Sequence, residues 1–340
     1  MSEKILSICI PTYNREEYIK QRLEQFIKYI NEINQGELIE IVVSDNASTD
    51  NTYKIIKEAN TKYPYIIISR NKKNIGFSRN LVKVIHRAHG RYIWLFGDDD
   101  VLIENNLRDI ITILIKQEPN FLIHNFFTFK DYYSNVLVRN FLNIKSDIYF
   151  KGKSNPALYF FKKIVNAVPL MSTNIMKREI ALKFSTKFTN NNYWHFYNIL
   201  RNMIKEGKIY IYALPLLGQS TTVSYFHENI YRKYNTFFRD RVEILTSLRK
   251  DCTNKEYTFL KKAYKKHIIS SFFPVIIMLR KKKLTQSDKH YIKTKLFYLY
   301  TDIYLIYRII EIMPNFVLDK LIEMLKIIRY IKLKKEADKL

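Results

Sequence analysis

Four short apolar runs, each followed by a stretch of helical periodicity, fill the first 115 residues and constrain the fold more than any other feature. Ile5–Ile10 reads as a strand stopped by Pro11. Asn14 then sets up a helix start, with Glu17 three residues on in the manner of a capping box. Ile19, Leu23, Phe26, Ile27 and Ile30 recur at the spacing of one buried helix face. The pattern repeats as strand Ile39–Ser44 with helix Thr49–Ala59, and as strand Tyr65–Ser69 with helix Ser78–His89. A fourth strand, Tyr92–Phe96, runs into Gly97-Asp98-Asp99-Asp100 and a helix to about Lys116. Continuous apolar strands alternating with helices predict an α/β fold, a parallel sheet covered on both faces. Apolar residues make up 47% of the 340, enough for a core and against wholesale disorder. With only 7 Gly and 8 Pro, collagen-like and loop-dominated architectures are excluded.

Ligands of such sheets bind beyond the carboxyl ends of the strands. Asp45 ends the second strand and the Asp98–Asp100 cluster follows the fourth, and right-handed crossovers bring both to one rim. The chain holds 14 Asp, and a shuffled chain of that composition almost never contains three in a row. Two readings stand: a solvated loop capping the next helix, or hard oxygen donors for Mg²⁺ or Mn²⁺, which also take diphosphate oxygens.

Rival chemistries lack their motifs. No G-x-G occurs, so the dinucleotide fingerprint is absent, and so are the P-loop, the G-x-S-x-G elbow and H-E-x-x-H. Two cysteines, Cys9 and Cys252, are too few for a disulfide framework and suit a reducing, cytoplasmic compartment. Neither an export signal nor an apolar run long enough to span a bilayer is recognised, which predicts no transmembrane helix. The net charge of +25 predicts anionic company.

Four segments resemble motifs of the family 2 glycosyltransferases with the GT-A fold. They are Ile8-Cys9-Ile10-Pro11-Thr12-Tyr13-Asn14-Arg15, Val42-Val43-Ser44-Asp45-Asn46-Ala47-Ser48-Thr49-Asp50, Asn74-Ile75-Gly76-Phe77-Ser78-Arg79-Asn80 and Phe96-Gly97-Asp98-Asp99-Asp100. The resemblance is clear over residues 4–117 and fainter to about 225. It implies a Rossmann-like, mostly parallel sheet with helices on both faces over 1–225, divided into a nucleotide-sugar half (1–117) and an acceptor half (118–225); the basic remainder, 226–340, reads mostly as helix from its own composition.

Residue by residue, the resemblance implies a donor site. Pro11, Tyr13 and Asp45 would cradle the nucleobase, the Asp45 carboxylate accepting the imide N–H of uracil or thymine; an ordinary packing role for Tyr13 stays open. Gly76 permits a tight turn, and Arg79 would face the diphosphate or order the donor loop, or stand as a solvated cation. The acid cluster departs from the usual D-x-D. One alignment puts Gly97 at its first Asp and Asp99 at its second; another reads Asp98 and Asp100 as the pair. Asp98, Asp99 and Asp100 are therefore all candidate ligands for Mn²⁺ or Mg²⁺, Asp98 also for donor contact. Arg201 and Gly207 fit the frame that follows the family's catalytic acid pair, and this frame lands on Trp194-His195. Residues 185–200 contain no Asp or Glu, so His195 is the candidate base, with packing or acceptor contact as alternatives. The strand before the base helix is expected within 169–178.

Residues 231–340 carry 26 Lys/Arg against 11 Asp/Glu, a net of +15. Lys261-Lys262, Lys265-Lys266 and the basic run Arg280–Lys283 flank Ile268–Leu279, and Tyr298, Tyr300, Tyr304 and Tyr307 stud the next apolar segment. Such helices suit a membrane interface, a packed subdomain with a solvated basic face, or oligomerisation. The expected activity is inverting, metal-dependent transfer from a UDP- or dTDP-sugar to a hydroxyl of a glycan or lipid-linked glycan in bacterial surface-polysaccharide synthesis, peripheral on the inner face of the cytoplasmic membrane. Alternatives are transfer to polyprenyl phosphate, or a degenerate, non-catalytic GT-A protein binding nucleotide sugar or nucleic acid. Against nucleic acid stand the missing recognition motif and acids on the rim that repel phosphate.

Overall fold

A computed structural model describes residues 3–103, 106–130, 135–138, 142, 144–151, 170–185, 190–205, 207–220, 234–271, 284–324 and 327. Pro169, the run Arg280–Lys283 and the 272–279 part of the apolar stretch before it lie outside the described residues. Two compact units result, Met1–Val223 and Ser224–Leu340.

The first unit is built on one ten-stranded sheet. Its parallel half follows the alternation in the sequence: β1 (Leu6–Thr12), α1 (Glu16–Ile33), β2 (Ile39–Asp45), α2 (Thr52–Lys62), β3 (Ile66–Arg70), α3 (Phe77–His86) and β4 (Tyr92–Leu95). These strands lie in the order β3-β2-β1-β4. Every residue of β1, β2 and β4 is buried, as a sheet covered on both faces requires. Register sets Thr12 opposite Asp45, and Asp45 opposite Arg70.

The other half is mixed. β5 (Val101–Leu102) and α4 (Asn106–Gln117) lead to β6 (Phe121–Lys130); β7 (Asn135–Val138) pairs antiparallel with β6, and β8 (Ile148–Phe150) pairs antiparallel with the last strand, Ile209–Ser220. β9 (Asn174–Lys177) lies within 169–178, where a strand was expected, and runs antiparallel between β4 and β6. α5 (Arg178–Ser185) and α6 (Trp194–Lys205) follow, then β10 (Ile209–Ser220) beside β6. Close packing at the sheet's lower rim needs glycine. A Cβ on Gly90 would meet Ser7 Oγ at 2.6 Å and Ser7 N at 2.7 Å.

The first helix starts differently from the expected capping box. Asn14 takes a left-handed φ of 50°, and its Oδ1 accepts from Thr49 N at 2.8 Å. The cap comes from Asp50, whose carboxylate accepts from Glu16 N at 3.2 Å and Thr52 N at 3.0 Å, so one side chain serves the first turns of α1 and α2.

The second unit is helical. A π-helical turn, Tyr234–Asp240, enters α7 (Arg241–Ser247), followed by α8 (Asn254–Ser271), α9 (Gln286–Leu299) and α10 (Thr301–Ile312), with further helix over 315–324. Capping boxes open α8, through Thr253 and Glu256, and α9, through Thr285 and Asp288. Tyr234, Phe238, Leu260, Tyr264, Ile292 and Tyr307 are among its buried core. Among the described residues no helix is long and apolar enough to cross a membrane.

Candidate active site on the carboxyl rim

The rim formed by β1, β2 and β4 brings the expected residues to one place. Pro11 is buried opposite Ser44, and Tyr13 stands half-exposed just past the end of β1. Between them, Thr12 donates from Oγ1 to Asp98 Oδ2 at 2.8 Å, with both side chains buried. Asp45 and Asp98 thus flank the same threonine.

Asp45 is fully buried and accepts twice from Ser48 N, at 3.1 and 3.3 Å. Arg70 Nε pairs with its Oδ2 at 3.1 Å, and Arg70 Nη2 donates to Ser48 O at 2.8 Å. Arg70 also lies over the Tyr53 ring, 4.5 Å from its centre. Sequence reasoning missed Arg70. Its signal is positional, the last residue of an edge strand in register with a buried acid.

Asn46 occupies the centre of an amide network. Its Oδ1 accepts from Asn71 Nδ2 and Ile75 N, and its Nδ2 donates to Asn74 Oδ1, which accepts from Gly76 N. An aspartate there could accept but not donate. The network holds the entry to α3, where Gly76 adopts φ +85° and ψ 159°, a conformation that favours glycine. On α3, Ser78 Oγ donates to Asn192 Oδ1 at 2.6 Å and Arg79 Nη2 to Asn190 Oδ1 at 3.2 Å. Arg79 is therefore exposed and anchored to the loop that enters α6.

That loop presents His195. Tyr193 N bonds Asn191 Oδ1, and His195 occupies the first turn of α6 with 2% exposure, its ring 6.2 Å from those of Tyr193 and Trp194. One turn further on, Asn198 is fully buried, and among the described residues neither polar atom of its side chain has a partner. An unpaired buried amide is costly, which marks a place where a hydroxyl would be welcome. Gly207, with φ 56°, closes α6 by bonding Asn202 O.

The acid cluster is the electrostatic centre. Burial, and then the Asp99 charge, push Asp98 up to about 7, against the pull of Arg15, Thr12 and Arg22. Burial raises Asp99 as well. Burial and then the Asp99 charge push Asp100 up to about 8, with a hydrogen bond from Ser172 opposing. Ser172 ties the loop down: its Oγ also accepts from Gly97 N at 2.8 Å, and its carbonyl accepts from Trp94 Nε1 at 2.8 Å. His124 Nε2 lies 2.8 Å from the same carbonyl, and burial lowers this histidine to about 4. Ser172 and His124 carried no local sequence signal, because Ser172 bonds Gly97 across 75 residues and His124 meets Ser172 across 48.

A Cβ on Gly97 would stand 3.0 Å from both Asp99 Oδ1 and Asp100 Oδ2. The carboxylates fold into the space that a first-position Asp would fill, a physical reason for glycine there. Among the described residues no three His, Cys, Asp or Glu side chains converge into a complete metal-ligand set. The donor chemistry still fits a hard divalent cation: three crowded carboxyls resist ionising together, and a cation relieves that repulsion. Mg²⁺-type ions commonly take one or two carboxylates and draw their remaining ligands from substrate phosphates and water.

Residues 7–183 match the profile of glycosyl transferase family 2. The abequosyltransferase RfbV of Salmonella typhimurium is 34% identical over 202 residues, covering 56% of this chain and 59% of that protein. The dTDP-rhamnosyl transferase RfbG of Shigella flexneri is 25% identical over 268 residues, covering 74% of this chain and 83% of that protein. The chain thus spans about three fifths of the first of these relatives. The crystal structure of S. aureus TarS 1-349 in complex with UDP-GlcNAc aligns at a TM-score of 0.59 with 14% identity, over 90% of each chain. The mannosyltransferase PcManGT of Pyrobaculum calidifontis, in complex with GDP-Man and Mn²⁺, aligns at 0.52 with 11% identity, over 92% of this chain and 85% of that one. These likenesses show the GT-A fold.

Proposed function

The chain belongs to glycosyl transferase family 2, and from that premise we propose that it moves a sugar from a UDP- or dTDP-sugar to a hydroxyl of a glycan or lipid-linked glycan. The setting is bacterial surface-polysaccharide synthesis at the inner face of the cytoplasmic membrane. RfbV and RfbG, named as sugar transferases, support the class. The observation that carries the site is the chain Asp45–Thr12–Asp98, which joins a buried acid at the end of β2 to the acid cluster after β4.

In this reading Pro11 and Tyr13 border the nucleobase and Asp45 faces it, held rigid by Ser48 and Arg70. One or two of Asp98, Asp99 and Asp100 would hold Mn²⁺ or Mg²⁺, and the bound cation would neutralise diphosphate charge. Gly76 shapes the loop over the donor, and Arg79 stands at the loop's junction with α6. His195, as neutral imidazole, takes the proton of the acceptor hydroxyl. The freed oxygen forms the new C–O bond at the anomeric carbon while the bond to the diphosphate oxygen breaks, inverting the configuration. Asn198 offers a donor and an acceptor to that hydroxyl's neighbours.

Incubation with nucleotide sugar and Mn²⁺ tests the reading. Release of one nucleoside diphosphate, with a product of inverted anomeric configuration, is expected. Metal-dependent donor binding without turnover of donor, by transfer or hydrolysis, would instead favour the degenerate alternative, which Gly97 raises.

A further inference from the structure

Among the described residues 13 large apolar side chains are exposed, and nine of them lie between Phe297 and Ile327. α10 concentrates them. Its inner face is Ile303, Tyr307 and Ile310, all buried, while Leu305, Ile309 and Ile312 are 56%, 58% and 78% exposed. At about 100° per residue the last three fall within about 60° of one another, directly opposite the buried face. Ile306 widens the strip and Phe316, 67% exposed, extends it past Pro314. An apolar strip of this kind, uncovered among the described residues, marks a binding surface.

Its edge is cationic. Arg308 borders the strip and also lines a groove of about 300 Å³ shared with Lys289, His290, Lys293 and Glu311. Glu311 is engaged by Lys289 at 3.6 Å, Arg308 at 3.7 Å and the Tyr307 hydroxyl at 3.1 Å. Lys293 and His290 are exposed in the groove. A net charge of +15 over 231–340 opposes pairing with a second copy and complements an anionic surface.

We propose that the outer face of α10 seats the protein in the interface of an anionic bilayer, with Leu305, Ile306, Ile309 and Ile312 among the acyl chains and the groove beside it holding the phosphate of an acidic lipid headgroup. A helix with an apolar face and a cationic border lies in the plane of the interface, its apolar side about 5–10 Å deep. The assignment rests on the membrane location proposed above and names the surface that creates it.

The test is co-sedimentation of the full chain with phosphatidylcholine vesicles, with and without about 30% phosphatidylglycerol. Wild type is expected to bind the anionic vesicles, and the triple variant Leu305→Ser/Ile309→Ser/Ile312→Ser to bind at least tenfold more weakly with an unchanged thermal midpoint. Lys293→Gln is expected to reduce the preference for anionic over neutral vesicles. Trp94 and Trp194 are fully buried, so Ile309→Trp adds an exposed reporter whose emission should shift to the blue with anionic vesicles. Wild-type binding that the triple variant retains, or a tryptophan that does not shift, overturns the face while leaving the location standing. No binding by wild type overturns the location itself. A wild-type dimer that the triple variant converts to monomer makes a second copy the occupant.

Discussion

Replacing Asp100 by Asn should stabilise the metal-free protein at alkaline pH while weakening metal-dependent donor binding. Burial and the Asp99 charge raise Asp100 from an ordinary 3.8 to about 8. A carboxyl whose folded pKa is raised favours the fold while it is protonated. That contribution is complete below about pH 4 and is lost as the pH climbs through about 8. At about 1.4 kcal/mol per pKa unit the shift sets a ceiling near 6 kcal/mol. Asp100 is only half-buried, its neighbours titrate with it and the loop can relax, so about 2 kcal/mol at pH 9 is the expected net effect. At about 2–4 °C per kcal/mol this is a rise of about 4–8 °C. Thermal melts of both proteins in EDTA, from about pH 5 to about pH 9, read it directly. The curves should nearly coincide at the acid end and separate as the pH rises, and Mn²⁺ should close the gap by stabilising wild type alone. An Asn variant that melts at or below wild type at the alkaline end would refute the claim that the crowded carboxylates carry electrostatic strain.

The remaining predictions address other parts of the site. His195→Gln should lower kcat by about 10²–10⁴ and leave donor affinity within about twofold; unaltered turnover removes the base assignment. Ser172→Ala breaks the link from Gly97 N to Asp100 and should weaken donor binding in Mn²⁺ by about 5–30-fold by calorimetry, with Ser172→Thr retaining most of it. Gly90→Ala forces a Cβ against Ser7 backbone and should cost about 1–3 kcal/mol in denaturant unfolding.

The strands of the parallel half were legible from their short, Ile-rich apolar runs, although the first continues through Pro11 to Thr12, in register with β2, rather than stopping at the proline. The acid cluster was legible by rarity and position. What stayed hidden depends on contacts distant in sequence. Asp50 caps α1 from 34 residues away, a role that nearby Asn14 and Glu17 seemed to fill, and the left-handed backbone at Asn14 instead sends its side chain to Thr49. Arg70 gains its meaning only when β2 and β3 pair in register. β10 was not anticipated, and Pro215 within it coincides with register shifts against β6. Arg79, expected to face the diphosphate, order the donor loop or stand as a solvated cation, also bonds the Asn190 loop, a partner 111 residues distant that no local pattern announces.

A metal-dependent site for a sugar nucleotide on the carboxyl rim underlies all of these roles. The most direct measurement is the thermal shift of the full chain with a panel of UDP-, dTDP-, GDP- and CMP-sugars, each in Mn²⁺ and in EDTA. A rise is expected with a uridine or thymidine donor, present in Mn²⁺, absent in EDTA and lost in Asp99→Ala. A shift with no donor, or one that is equal in EDTA and in the Asp99 variant, would contradict it.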